Sequence, residues 1–340
     1  MNSPVKIDLT DATTFPSRRV ETWKYSDLAR HLREAPAASP AAELAGAGPF
    51  ASLNAEPMAF VNGKAVTAAD RIVSGEQVLA LHFVSRAEGT GHAASARIVA
   101  QSGANLVLLE SHEGQGAAYV AHNRLELDIA ADATVSRIVL VEDAADAISI
   151  AEADVNLAAG GRYRQTVLTT GAKLQRIETR LAHSANGADA RMDGLYLLTG
   201  SRHTDLTTVV DHLDADGTTS QLTKGVARET SRGVFQGKII VERGADGTDA
   251  RMAHNALIDG ERAEIDAKPE LIIYADDVQC AHGNTVGTLD ETALFYMQAR
   301  GITAEEARAL LTEAFLNEVV DRIEQEDVRE VVGQWLTERL

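Results

Sequence analysis

Thiol and imidazole chemistry concentrates in one short run, Val278-Gln279-Cys280-Ala281-His282-Gly283-Asn284-Thr285. If the run is extended, Cys280 and His282 share a face, because successive strand side chains point to opposite sides. Thiolate and imidazole both bind iron, so the pair has the chemistry for part of a metal or cluster site. The same spacing is met more often as a small buried thiol beside a hydrogen-bonded histidine, and spacing alone does not separate the two. His254, in Ala253-His254-Asn255-Ala256-Leu257-Ile258, stands at the head of an apolar stretch and by itself reads as a surface or turn histidine. His203, Asp205, Asp211 and His212 have the residue types of a hydrolytic metal site. They lie among Thr and Val in a strand-like pattern, which reads better as a solvated strand face.

Other chemistry is excluded. The Gly-Lys pairs Gly63-Lys64 and Gly237-Lys238 lack the upstream glycine and following hydroxyl of a phosphate-binding loop, so the chain is not expected to hydrolyse ATP. No G-x-S-x-G, H-E-x-x-H or C-x-x-C occurs, which removes the anchors of the common hydrolase, metalloprotease and thiol-redox readings. Cys280 is the only cysteine, so neither an internal disulfide nor an all-cysteine metal site can come from this chain alone. Acids outnumber bases 50 to 32, a net charge of −18, which argues against nucleic acid as a partner. No apolar run has spanning length, and Met1 to Thr10 mixes Asn2, Lys6 and Asp8 into its apolar residues, unlike a secretory segment. No membrane association and a cytoplasmic location are therefore expected.

The elements that must position Cys280 and His282 follow from proline and turn residues. Six of the seven prolines lie at or before Pro57 and the last is Pro269. Between them, runs such as Leu106-Val107-Leu108-Leu109, Ile138-Val139-Leu140-Val141 and Ile239-Ile240-Val241 alternate with Gly, Asp and Asn, the pattern of short strands and turns. Ala215-Asp216-Gly217-Thr218 and Ala245-Asp246-Gly247-Thr248 repeat one tetrapeptide 30 residues apart. A strand-and-turn unit returning without helical pattern suggests a solenoid; a sandwich of hairpins is the competing architecture. The ends read as helical. Trp23, Tyr25, Leu28 and Leu32 give a short amphipathic helix between Arg18 and Arg33, followed by an Ala/Pro-rich linker from Ala35 to Pro49. Thr303 with Glu306 forms a capping box ahead of Ala307, Leu310, Leu311, Ala314 and Phe315 on one face, extended by Val319 and Ile323. Val328, Val331, Val332, Trp335 and Leu336 mark a second helix. The expected layout is a helical region and linker over residues 1–57, a β core over 58–287 and a helical domain over 288–340.

The run from Lys268-Pro269-Glu270-Leu271 through Tyr274-Ala275-Asp276-Asp277-Val278-Gln279-Cys280-Ala281-His282-Gly283 to Gly287 resembles the C-terminal signature of the SufD branch of the SufB/SufD family. Glu21-Thr22-Trp23-Lys24-Tyr25 is similar to that family's N-terminal E-x-W-K-Y segment, and Phe60-Val61-Asn62-Gly63 to its entry into the central domain. The resemblance spans nearly the whole chain. It implies a right-handed parallel β-helix flanked by helical segments. It further implies a non-catalytic scaffold in iron–sulfur cluster assembly, working with a paralogous SufB subunit and with SufC, an ABC-type ATPase that would consume the ATP.

His282 matches the histidine implicated in assembly at the SufB interface, and Cys280 its neighbour. In SufB the residue after that histidine is a glutamate and a cluster-linked cysteine lies upstream; here Gly283 and, by gapless spacing, His254 stand in those places. The departure assigns the chain to the SufD side and implies an incomplete site needing a partner, with iron or a cluster held transiently and His282 as a ligand. Leu311 and Phe315 resemble apolar contacts for SufC docking, or pack the helix onto the end of the β-helix. A reduced flavin on the complex is a candidate electron source, and in isolation the SufB-facing surface is expected to pair two copies as a homodimer. The alternatives are a SufB-like subunit carrying the nascent cluster and a β-helix carbohydrate-active enzyme. The first is opposed by the single cysteine and Gly283. The second is opposed by scattered acids and an aromatic content of 4%.

Overall fold

The computed structural model describes residues 5–340; Met1–Pro4, part of the N-terminal stretch read above, lie outside the described residues. The chain runs through β1 (Glu56–Val61), β2 (Lys64–Ala65), β3 (Asp70–Val73), β4 (Glu76–Ser85), β5 (Gly91–Ala100) and β6 (Asn105–Gly114). It continues through β7 (Val120–Ile129), β8 (Thr134–Glu142), β9 (Ile148–Leu157), β10 (Arg162–Thr169), β11 (Leu174–His183) and β12 (Asp189–Leu198). It ends with β13 (His203–His212), β14 (Thr218–Arg228), β15 (Arg232–Val241), β16 (Asp249–Asp259), β17 (Glu264–Ile273) and β18 (Gln279–Gly287). Even-numbered strands from β4 onward stack into a ten-stranded sheet with β1 and β2, and odd-numbered ones into an eight-stranded sheet. From β3 to β16 each strand pairs in parallel with the next but one, as in Leu108↔Arg137↔Gln165↔Met192, and β1 pairs in parallel with β4. Among the described strands only β1 and β2 pair antiparallel. The fold is thus a parallel β-solenoid and not a sandwich of hairpins.

One corner shows why the turn residues recur. Asp132, Gly160, Gly187, Asp216 and Gly247 all have positive φ and donate their N–H to a carbonyl of the following coil. Glycine and aspartate tolerate that left-handed backbone. In the repeated tetrapeptides the left-handed position falls on Asp216 in the first and on Gly247 in the second. The repeat reports the coil length but not the register, since Thr218 pairs with Asp249 and not with Thr248.

Between the sheets lies a core of Leu, Ile, Val, Ala and a few aromatic side chains, from Met58 to Met252. Arg137, buried inside it, donates to both oxygens of Glu110 at 2.8 and 2.9 Å and to Gln165 at 2.8 Å.

Two outer layers flank the sheets. The N-terminal segment lies on the eight-stranded sheet, where Trp23 is buried with Leu28 against Val120, Ile148, Ile150 and Leu174. The Trp23 ring also covers the Arg176 guanidinium at 4.6 Å. The helix expected between Arg18 and Arg33 reduces to a 3-10 turn at Glu21–Trp23 and a single-turn helix, α1 (Leu28–His31), capped by Asp27. Its apolar residues are spaced to reach a sheet from an irregular strap. On the ten-stranded sheet sit α3 (Ala304–Val320) and α4 (Glu326–Thr337), preceded by α2 (Glu291–Gln298). The Thr303 side chain caps α3 by accepting from the Glu306 N–H at 3.2 Å. The buried stripe of α3 is Ala307, Thr312, Leu316, Val319 and Val320, rotated from the expected one, and Leu310 and Ala314 face solvent. The rotation follows from α3 packing on α2, α4 and the sheet together. No helix among the described residues is long and apolar enough to cross a membrane.

Candidate functional site at the open end of the solenoid

The last coil has no neighbour on one side: β18 pairs with β16 alone and β17 with β15 alone. Register fixes which side chains line this open end. Cys280 lies opposite Ala250, His282 opposite Met252 and Asn284 opposite His254. Ala250, Met252 and His254 are all buried, so the Cys280–His282–Asn284 row continues the inner wall of the solenoid to a mouth that no further coil covers. The shared face expected for Cys280 and His282 is therefore the inward one. Cys280 is half-buried against the core, and burial raises its thiol pKa. His282, Gly283 and Asn284 are exposed.

His254 is not at the surface or in a turn. It is fully buried one coil below Asn284, stacked on Phe235 with ring centroids 4.9 Å apart. The Tyr196 hydroxyl lies 3.0 Å from its Nε2, and the Asn284 Oδ1 2.7 Å from its Nδ1. Burial, only partly opposed by the Asn284 hydrogen bond, lowers its pKa to about 4, so the ring is neutral. Tyr196 and Asn284 carry no chemical motif and were missed in the sequence. The signal lay in Gly225 and Gly233, glycines inside strands, where a Cβ would come within 1.8 and 2.4 Å of the Tyr196 ring.

The rim combines exposed Ile273, Tyr274 and Val286 with the free edges of two strands. Nearby, Phe295, Tyr296 and Leu310 are 74%, 57% and 42% exposed. Leu311 and Phe315 are instead turned inward: Leu311 packs with Leu289, Leu294 and Ala307, and the Phe315 ring lies 4.2 Å from the Lys224 ammonium.

The His203–His212 stretch does not assemble a metal site. Asp205 is buried under the N-terminal strap, bonded to Ser26 at 2.6 Å and Arg176 at 2.6 Å, while His212 points into the core. No cluster of three or more potential metal ligands forms among the described residues. A groove of about 420 Å³ on the outer face of the eight-stranded sheet is lined by Glu126, Asp128, Asp154 and Asp211 with Arg97 and Arg180, without an aromatic platform.

Comparison with known proteins gives a family. Residues 83–315 match the family described as SUF system FeS cluster assembly, SufBD core domain. An iron–sulfur cluster assembly SufBD family protein of Synechocystis is 32% identical over 198 residues, 58% of this chain and 44% of that protein. The iron–sulfur cluster assembly protein SufD of Escherichia coli is 30% identical over 217 residues, 64% of this chain and 51% of the relative. SufD of Bacillus subtilis is 33% identical over 130 residues, 38% of this chain and 30% of the relative. The chain spans about half the length of the first two relatives.

Proposed function

We infer that this chain, which belongs to the SufB/SufD family of the SUF iron–sulfur cluster assembly system, is a SufD-type scaffold that completes its site only with a partner. The open last coil carries this reading. It places a thiol and an imidazole on the inner wall at an edge whose backbone groups await another strand, and an apolar rim surrounds them. A SufB-like solenoid added there would extend both sheets and bring its own ligands to Cys280 and His282. Iron or a nascent cluster is then cargo, held transiently between subunits, with reduced flavin on the complex as a candidate electron source. Without that partner the same edge pairs two copies of the chain.

The C-terminal helices are the surface for a SufC-like ATPase. Since Leu311 and Phe315 are engaged with the body of the protein, the docking contacts are assigned to Phe295, Tyr296 and Leu310. ATP-driven closure of two ATPase subunits would reach the mouth through these helices, while this chain itself performs no catalysis.

The first test is the native mass of the chain co-expressed with the SufB-like and SufC-like proteins of its organism. A three-component assembly is expected, and a chain that ignores both removes the reading. Within such an assembly, His282→Ala should leave the mass unchanged and lower the yield of assembled cluster, read by its absorption; an unchanged yield removes His282 from the site.

A further inference from the structure

At the other end of the solenoid four separate segments enclose a cavity of about 470 Å³: the strap at residues 8–10, the linker around Pro36, the β1–β2 turn at residues 62–64 and the start of β5. Its walls are set by close backbone approaches. A Cβ at Gly63 would lie 2.4 Å from the Ala93 carbonyl oxygen, and one at Gly91 would lie 2.3 Å from the Pro36 ring. Asn62 holds the turn, donating to the Pro40 carbonyl at 2.9 Å and accepting from the Arg86 N–H at 2.7 Å. His92 forms the buried floor, with Nδ1 3.1 Å from the Ser39 hydroxyl and Nε2 3.1 Å from the Ser85 hydroxyl. Burial keeps that ring neutral, so the charged residues of the lining are Asp8 and Lys64, one of each sign and both exposed. Asp8 accepts the Thr10 N–H and hydroxyl through Oδ1, at 2.9 and 2.7 Å, and Oδ2 has no partner among the described residues.

The edge of β5 adds a backbone donor. Gly91 donates to the Ala37 carbonyl of the linker, and Arg97 to the Ala69 carbonyl ahead of β3. Alternate residues of a parallel strand bond to the same side, so Ala93, between these two, turns its N–H to that edge. No backbone acceptor meets it there among the described residues. We propose that this cavity binds a free α-amino acid, its carboxylate held by the Lys64 ammonium and the Ala93 N–H and its ammonium group by Asp8. A single charge of each sign on an otherwise neutral lining matches a zwitterion and leaves a dianion or dication uncompensated. Charge-assisted hydrogen bonds hold both ends of the ligand, and Leu9 and Pro36 give its side chain an apolar wall. The site lies at the opposite end of the solenoid from Cys280 and His282 and does not depend on the cluster-assembly reading.

The test uses the full chain labelled with nitrogen-15 histidine, titrated with each common L-amino acid in turn and read from the ring signals of His92 in the cavity floor. At least one amino acid should bind in the millimolar range. Its N-acetyl derivative lacks the ammonium group and its carboxamide lacks the carboxylate, and each should bind about fivefold more weakly than the parent. Lys64→Met should weaken the parent by the same factor and leave the carboxamide unaffected. Asp8→Asn should weaken the parent and leave the N-acetyl derivative unaffected. Both side chains are exposed, so both variants should keep the fold, with urea midpoints equal to that of the wild type. His92 signals that no amino acid moves at tens of millimolar, derivatives that bind as tightly as the parent, or an affinity indifferent to both substitutions would each overturn the site.

Discussion

Among single residues, the imidazoles of His183 and His212 depend on one shared side-chain partner, their Nδ1 atoms being buried without one. Both are fully buried and stack at 4.1 Å, nearly parallel, and each Nε2 lies 3.0 Å from the one hydroxyl of Thr219. A hydroxyl donates one proton, so it donates to one ring and accepts from the other, and the two histidines hold opposite tautomers. Thr219→Val keeps the shape and strands both ring nitrogens in the core. A loss of about 2–6 kcal/mol in unfolding free energy, read from urea denaturation, is expected, since each of the two buried orphans costs about 1–3 kcal/mol. Thr219→Ser should lose much less, and equal losses for Val and Ser would refute the shared hydroxyl. Neither histidine was singled out as a buried pair in the sequence, because residues 29 apart meet only once the coil length is known.

At the level of elements, the turn between α3 and α4 is latched to one register row of the ten-stranded sheet. Gln325 donates to Ser136, the Arg322 carbonyl accepts from Arg191, and Arg322 reaches Ser220. The Arg322 guanidinium also lies 3.2 Å from Asp193. Asp193 is buried, and burial raises its pKa to about 6 despite Arg322 and Arg191. Arg322→Ala should cost about 2 kcal/mol, because it leaves a buried carboxylate half-compensated. Arg322→Ala with Asp193→Leu should cost less than the two changes summed, and additive midpoints in a double-mutant cycle would show that the pair is not coupled. The helices carrying this latch were legible from their capping box and apolar spacing, and the solenoid from a turn signal recurring every 30 residues. The buried stripe of α3 was not legible, since Leu310 and Leu311 satisfy the same spacing and only the sheet beneath chooses between them. The N-terminal strap misled for a related reason: Trp23 and Leu28 are spaced as on a helix, yet Arg176 and the sheet hold them. Cys280 and His282 were legible as a same-face pair. That their face is the inner wall depends on pairing with β16, which no local pattern contains.

For the whole molecule, a core that encloses neutral imidazoles makes stability depend on pH. Burial lowers His92, His212 and His254 to about 4 and His183, with His212 beside it, to about 3. Unfolded, each returns to about 6.5. Between pH 6.5 and about 4 the unfolded chain therefore binds protons that the native chain refuses, so native stability is complete above 6.5 and is lost on acidification. Asp193 acts in the opposite sense: raised to about 6, it takes a proton in the native state first and offsets about one of the four histidines. Below pH 4.5 the Glu110 carboxyl adds to the loss. Burial alone would raise it, but Arg137 and His112 hold it down to about 2. From pH 7.5 to 5.5 the net loss should be on the order of 4 kcal/mol, at about 1.4 kcal/mol per proton and pH unit. Urea midpoints measured at both pH values test this, and equal midpoints would mean that the four rings are not neutral in the fold. Replacing His183 and His212 together by a well-packed apolar pair should flatten the profile by about half, because the acid sensitivity belongs to the enclosed rings and not to the net charge of −18.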